Sequence, residues 1–290
     1  MEAQRTNYTL DEMCRVLAVS ESGYRAWKQG GMADRKRLTD AQMLTWIRAI
    51  HGALNGAYGS PRMVRELRGR GIPASKERVE RLMREHGIRA RHKRRYTVTT
   101  DSKHNLPVAA NRLSRDFTPS APNQTWTSDM TYLWTDEGWL YLAIVFDLFK
   151  REVVGWSLKP RMTADIVIDA LTMAWFRRKP AGGMMHHSDR GRQYASQPFQ
   201  HTLTAYGEGS MSRKDRGWDH TPTEREFNSF KDEQVHELRD ATRAEMTAAS
   251  FEYIEVFSNR TRWHSTLGYK SPMPCLDDWR MAQHDEKLIV

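Results

Sequence analysis

Asp129, Asp189 and Glu224 are the acidic residues whose settings invite chemistry. Asp129 lies inside WTSDMTYLW (126–134), an aromatic and β-branched run that reads as a half-buried strand. A carboxylate there is costly unless it has a partner. Asp189 directly follows the short segment GMMHHS (183–188) and belongs to HHSDRGRQYAS (186–196), where Asp-x-Gly is equally ordinary turn chemistry. Glu224 falls in the first turn of a long helical pattern that has Pro222 at its start. Gathered by one sheet, three such acids would bind hard divalent cations through oxygen. Magnesium suits them better than zinc, because no histidine or cysteine is required. Two such ions can activate an attacking oxygen and stabilise a leaving oxygen at phosphorus.

The elements that must position these acids are readable from pattern. WLYLAIVFDLF (139–149) and REVVGWSL (151–158) continue the first strand as a hairpin series, the turn being TDEG (135–138). The second strand is apolar on both faces and is expected to be central. A helix over 163–178, with Thr163 as cap, leads to a short fourth strand that should run parallel to an earlier one. SQPFQHTLTAYG reads as a helix and SMS (210–212) as a strand. Helices follow over 221–238 and 242–260, and a short one closes the tail. Strands, helix, strand, then helices is an α/β order.

The N-terminal half has a different character. The net charge of +9 divides into +12 over residues 1–120 and −3 over the remainder. That asymmetry points to a basic nucleic-acid-binding half. Residues 9–28 read as a helical pair, with Thr9 and Glu12 forming a capping box. Residues 31–37 read as a linker. Helices then begin at Thr39 or Asp40, at Pro61 and at Ser75; the last carries Arg78, Arg81 and Arg84 outside its apolar stripe. This is a winged or plain helix-turn-helix pattern. RARHKRR (89–95) adds Arg89, Arg91, Lys93, Arg94 and Arg95 as a phosphate-contacting arm or a spacer. The expected organisation is a small helical region at 1–30, a helix-turn-helix-like domain with basic arm at 31–96, a linker at 97–122, a catalytic core at 123–238 and a helical region at 239–290. The start lacks the order of a secretory signal, no apolar run is long enough to span a membrane, and the two cysteines, Cys14 and Cys275, are far apart in sequence. A cytoplasmic, nucleoid-associated protein is expected.

Six segments carry a resemblance. They are YGSPRMVREL (58–67), residues 123–157, HHSDRGRQYAS (186–196), SMSRK (210–214), WDHTPTEREFNSFKDE (218–233) and NRTRWHSTLGYKSP (259–272). On these, the chain resembles the integrase-type subunit (OrfB) of two-frame insertion-sequence transposases, in the DDE, retroviral-integrase-like superfamily. The resemblance implies an RNase H-like core, a mixed sheet flanked by helices, preceded by a helix-turn-helix region. It implies Asp129, Asp189 and Glu224 as catalytic residues holding two magnesium ions, with manganese as substitute. The spacings are 60 residues between the aspartates and 35 from Asp189 to Glu224. It further implies DNA cleavage and strand transfer at terminal inverted repeats, a homo-oligomer, and an upstream-frame OrfA-type helix-turn-helix partner.

This chain departs from the family pattern around the third acid. Lys214–Asp215–Arg216–Gly217 replaces Lys-Gly-Asn, Asp219–His220–Thr221 replaces Asp-Asn-Ala, and Glu226 replaces an aromatic. Those changes motivate a second reading, a catalytically impaired or regulatory DNA-binding copy. Glu226 itself cannot replace Glu224, because two residues on along a helix points about 200° away. Arg190 and Lys214 are further candidates for phosphate contact, and Asp147 for a metal or a turn. Arg262 and His264 are candidates for phosphate contact or helix packing. Trp126, Trp134, Trp139 and Trp156 read most simply as core, with stacking of one on an unpaired base as the alternative, and His186 and His187 as hydrogen-bonded scaffolding, with substrate positioning or metal ligation as the alternative.

Overall fold

The structure, a computed structural model, describes residues 8–17, 19–28, 38–91, 106–212, 221–238 and 241–288. The linker at 31–37, the arm residues Lys93, Arg94 and Arg95, and Lys214 with the substitutions at 215–220 lie outside them.

Local capping sets the N-terminal helices. Thr9 and Glu12 close a reciprocal box on α1 (Leu10–Val16), and α2 (Glu21–Lys28) follows. Thr39 and Gln42 repeat the device on α3 (Asp40–Ala53). Pro61 opens α4 (Ser60–Gly69), and the Ser75 hydroxyl accepts from Arg78 N to start α5 (Lys76–Glu85). Each cap stabilises its helix by about 1 kcal/mol. Met43, Ile47, Ile50, Met63, Leu67, Val79 and Leu82 form a common core of α3–α5. Burial of each such side chain contributes roughly 1.5–3 kcal/mol, more than any one cap.

The C-terminal part is built on a five-stranded mixed sheet in the order β3-β2-β1-β4-β5. Its strands are β1 (Thr125–Thr135), β2 (Gly138–Asp147), β3 (Glu152–Lys159), β4 (Met185–Ser188) and β5 (Glu208–Met211). β1–β2 and β2–β3 are antiparallel, while β4 runs parallel to both β1 and β5. The middle strand is therefore β1, not the more apolar β2. Burial on both faces of β2 comes from the helices covering the sheet, not from its position in it.

One face of the sheet is covered by α6 (Ala164–Arg178), α7 (Arg192–Ala195) and α8 (Gln197–Tyr206), through a core that includes Trp126, Val145, Leu171 and Phe199. α6 sits unusually close: a Cβ on Gly155 of β3 would lie 2.2 Å from the Ala170 carbonyl oxygen. The other face is covered by α9 (Thr221–Glu233), a 3₁₀ turn (Val235–Glu237), α10 (Arg243–Phe251) and a π-helical segment (Glu252–Thr261). Leu142, Ile144, Phe230, Met246 and Tyr253 fill that core. In the π-helical turn, Asn259 faces β3: its amide accepts from Val153 N at 3.0 Å and donates to Val153 O at 2.9 Å.

Three further differences from the sequence reading have physical causes. Residues 106–122 are not a free linker: Leu113 is buried in the second core, Arg112 N donates to Ser210 Oγ at 2.9 Å, and the Arg112 guanidinium pairs with Glu208. The tail helix α11 (Pro272–Leu288) has 17 residues rather than being short. Of the tryptophans read as core, Trp126 is fully buried, but Trp134 and Trp139 are 59% and 44% exposed at the β1–β2 hairpin tip, where they pack edge-to-face on each other.

Candidate active site

The parallel pairing of β4 with β1 brings the two aspartates together. Its register matches Trp126 with His186, Thr127 with His187 and Ser128 with Ser188. The constant offset is the same 60 residues that separate Asp129 from Asp189. Asp189, just past the end of β4, therefore lies at the level of Asp129 within the neighbouring β1. Asp189 is held in an Asx turn, Oδ1 accepting from Gly191 N at 2.9 Å. The turn reading and the ligand reading of Asp189 are thus compatible. A Cβ on Gly191 would lie 2.9 Å from that same oxygen, so a side chain there would press on the Asp189 carboxylate.

Glu224 arrives from the other direction. Thr127 Oγ1 and Thr223 Oγ1 are 2.7 Å apart and buried, which ties the first turn of α9 to β1 two residues before Asp129. Side chains two apart on a strand share a face, so Thr127 and Asp129 both point toward α9. The Asp129 carboxyl accepts from Met130 N at 2.7 Å. Its pKa is nevertheless raised well above the ordinary value, first by burial and then by the negative charges of Asp189 and Glu224. Asp189 and Glu224 are therefore both within electrostatic reach of Asp129. Among the described residues, no group of three or more His, Cys, Asp or Glu side chains is arranged so that it could hold a metal ion. An all-oxygen set of mutually repelling carboxylates is the donor chemistry that a hard divalent cation relieves.

The surrounding groups are scaffolding of this arrangement. His186 Nε2 lies 2.7 Å from Ser128 Oγ, and His187 Nδ1 lies 2.9 Å from Ser210 Oγ, both pairs buried. Asp147 is committed to its turn, accepting from Asn123 N and Phe149 N, each at 2.8 Å. Arg190 Nε donates to Ser212 O at 2.6 Å. Glu226 is buried on the far side of α9 from Glu224 and accepts from Ser258 Oγ; burial raises its pKa. Tyr194 escaped the sequence reading. Its phenol is fully buried and its pKa is driven up by burial and by Asp129 and Asp189, so it lies close behind the acids. The only signal was its place in HHSDRGRQYAS.

The basic candidates separate into two groups. Arg84 and Arg89 are exposed. Arg78 and Arg81 instead grip Asp40 of α3, at 2.7 Å and 2.6 Å. Arg91 Nη1 donates to Glu233 O at 2.6 Å, joining the basic arm to α9. Arg262, 4% exposed, makes two hydrogen bonds of 2.8 Å to Glu233 and one to Ser229. His264 is 9% exposed, and its pKa is pushed down to about 3 by burial and by neighbouring arginines. Arg262 is thereby committed to internal partners, and His264 is buried beside it. The helix-turn-helix-like part also docks directly on the core, through Tyr58 Oη, which accepts from Trp263 N at 2.9 Å, and through Arg62, 3.8 Å from Glu233.

Comparison with known proteins agrees with this division. An HTH-like domain family matches residues 37–96, and integrase core domain families match residues 119–215 and 224–274. Transposase InsF for insertion sequence IS3A of Escherichia coli (strain K12) is 41% identical over 278 residues, 94% of this chain and 95% of the relative. The insertion element IS600 uncharacterized 31 kDa protein of Shigella sonnei is 41% identical over 261 residues, covering 90% and 96%. Among solved structures, the HTLV-2 integrase catalytic core domain in complex with magnesium aligns at 22% identity with a TM-score of 0.42, over 50% of this chain and 92% of that one. Identity of this extent, spanning both the helical and the sheet regions, shows that the chain belongs to the insertion-sequence transposase family that includes InsF of IS3.

Proposed function

We propose that the chain cuts and joins DNA at the ends of its insertion sequence, with Asp129, Asp189 and Glu224 as its catalytic acids. The observation that carries this reading is the β1–β4 register, which sets Asp129 beside Asp189, with Glu224 delivered by the Thr127–Thr223 contact. Bound at these oxygens, two magnesium ions, or manganese in their place, would supply charge neutralisation at phosphorus and a more acidic attacking water or 3′-hydroxyl. The residues themselves supply position. Gly191 and the Asx turn fix the Asp189 carboxylate, and the hydroxyl pair fixes the first turn of α9. Tyr194 and His186 fill the space behind the acids, leaving a rigid, partly dry wall.

The helix-turn-helix-like residues 31–96 would hold the terminal inverted repeat, the exposed Arg84 and Arg89 contacting phosphate together with Lys93, Arg94, Arg95 and Lys214. Residues 123–238 form the catalytic core in this assignment, and 239–290 a helical buttress. A homo-oligomer and an OrfA-type partner follow from the resemblance. Among the described residues, no helix is long and apolar enough to cross a membrane.

The test is a strand-cleavage and strand-transfer assay on duplexes bearing the element's ends, with magnesium or manganese. Asp129→Asn and Asp189→Asn should each abolish product while DNA affinity survives. Full activity in either variant refutes the assignment. Robust product from the unaltered chain excludes the impaired-copy reading.

A further inference from the structure

A cavity of about 380 Å³ opens between the helix-turn-helix-like part, α9 and the C-terminal tail. Arg62, Arg91, Arg151, Arg225, Arg262 and His264 are on its wall. The acids beside them are largely committed. Glu233 holds Arg262 and faces Arg62, Glu226 holds Ser258, and Asp232 lies 3.6 Å from His236. Arg151 and Arg225 are different. Among the described residues, neither guanidinium makes an ion pair or hydrogen bond, and each adds to the other's repulsion. Beside them His264 is buried, and burial with the neighbouring arginines pushes its pKa down to about 3, so it stays neutral and adds no charge to the wall. Two arginines without internal partners among the described residues, Arg151 half-buried and Arg225 exposed, on one concave wall rich in arginine are suited to grip an anion.

The φ of Arg151 is 56°, the left-handed region, at the turn between β2 and β3. Glycine occupies that region freely, whereas an arginine there is strained. Arg115 and Lys179, which do not line the cavity, share this backbone region, so the strain marks no site by itself, but it makes Arg151→Gly a substitution that the backbone tolerates.

We propose that this cavity holds one backbone phosphodiester of the DNA strand passing from the helix-turn-helix-like domain to the acidic site, gripped by Arg151 and Arg225. Placement favours this occupant. α9 carries Glu224 toward β1 and Pro222, Arg225 and Ser229 toward the cavity, so one helix spans both sites. The cavity would register DNA held by the N-terminal domain against the acids. This rests on the transposase reading.

The experiment measures affinity for a labelled terminal-repeat duplex against salt, using the full chain, Arg151→Gly, Arg225→Gln and the double variant. Each contacted phosphate contributes about 0.9 to the slope of log K on log salt. The double variant should show a slope shallower by about one and several-fold weaker binding, while Arg151→Gly keeps or raises Tm because its backbone strain is relieved. A slope unchanged in the double variant overturns the site. So does weaker binding that tracks a lowered Tm, since that marks a structural role. In a second arm, inorganic phosphate is titrated against Tm. Phosphate stabilisation lost in Arg151→Gly with an unchanged DNA slope makes the cavity a site for a free anion, and overturns the DNA assignment. Failure of the unaltered chain to bind any duplex overturns the transposase reading along with this one.

Discussion

Thr127 on β1 and Thr223 on α9 touch through their hydroxyls at 2.7 Å inside the protein, and this one contact sets the helix that carries Glu224 against the strand that carries Asp129. Thr127→Val or Thr223→Val leaves the other hydroxyl buried without its partner, at a cost of about 1–3 kcal/mol. The double valine variant should cost less than the sum of the two, because no orphan remains. Urea unfolding of the four proteins measures this. Strand transfer should fall in the single variants without loss of DNA affinity.

The strand around Asp129 was legible because its pattern is periodic. The 60-residue spacing to Asp189 was singled out only by the family resemblance, and its physical basis, the β1–β4 register, appears only in the fold. The helix caps at Thr9, Thr39 and Ser75 were legible because each contact closes within three residues. The role of Arg262 was not. Its partner Glu233 lies 29 residues earlier, and the two meet only because the chain between them includes a π-helical turn. Trp134 and Trp139 were misread because residue type reports apolarity, whereas exposure depends on how far a hairpin tip overhangs its covering helices.

Asp129→Asn should do two separable things. Without metal it removes one of three mutually repelling charges, raising stability on the order of 1 kcal/mol. On the proposed reading, magnesium bound at these acids would stabilise the folded chain, and the variant should lose that stabilisation. Thermal melts with and without magnesium chloride test both. A magnesium shift of full size in this variant places the ion elsewhere.

Glu233 is the hinge of a buried network. It holds Arg262, accepts from Tyr253 Oη at 2.7 Å, and its carbonyl receives Arg91. Glu233→Ala strands a buried guanidinium, so a loss of about 3–5 kcal/mol is expected. Replacing both partners, Glu233→Leu with Arg262→Met, should recover most of that loss. Denaturant midpoints decide this. Equal losses in the single and double variants would show that the pair matters for more than mutual neutralisation.

Lys231 gives a pH dependence of definite sign. It lies on α9, 5% exposed, its ammonium 4.8 Å from the centre of the Tyr132 ring. Burial lowers its pKa from 10.5 to about 7. Between these values the unfolded chain holds the proton and the folded chain does not, so this group makes stability rise with pH across that window. Below it both states are protonated, and the burial penalty, a few kcal/mol, is present in full. Lys231→Met keeps the buried methylenes and removes the charge. It should stabilise the protein most at or below about pH 7, and the gain should shrink toward zero near the unfolded-state pKa of about 10.4. Urea unfolding at one pH below the window and one near its top measures the difference. An equal gain at both would mean that packing, rather than the cost of a buried ammonium, sets the effect.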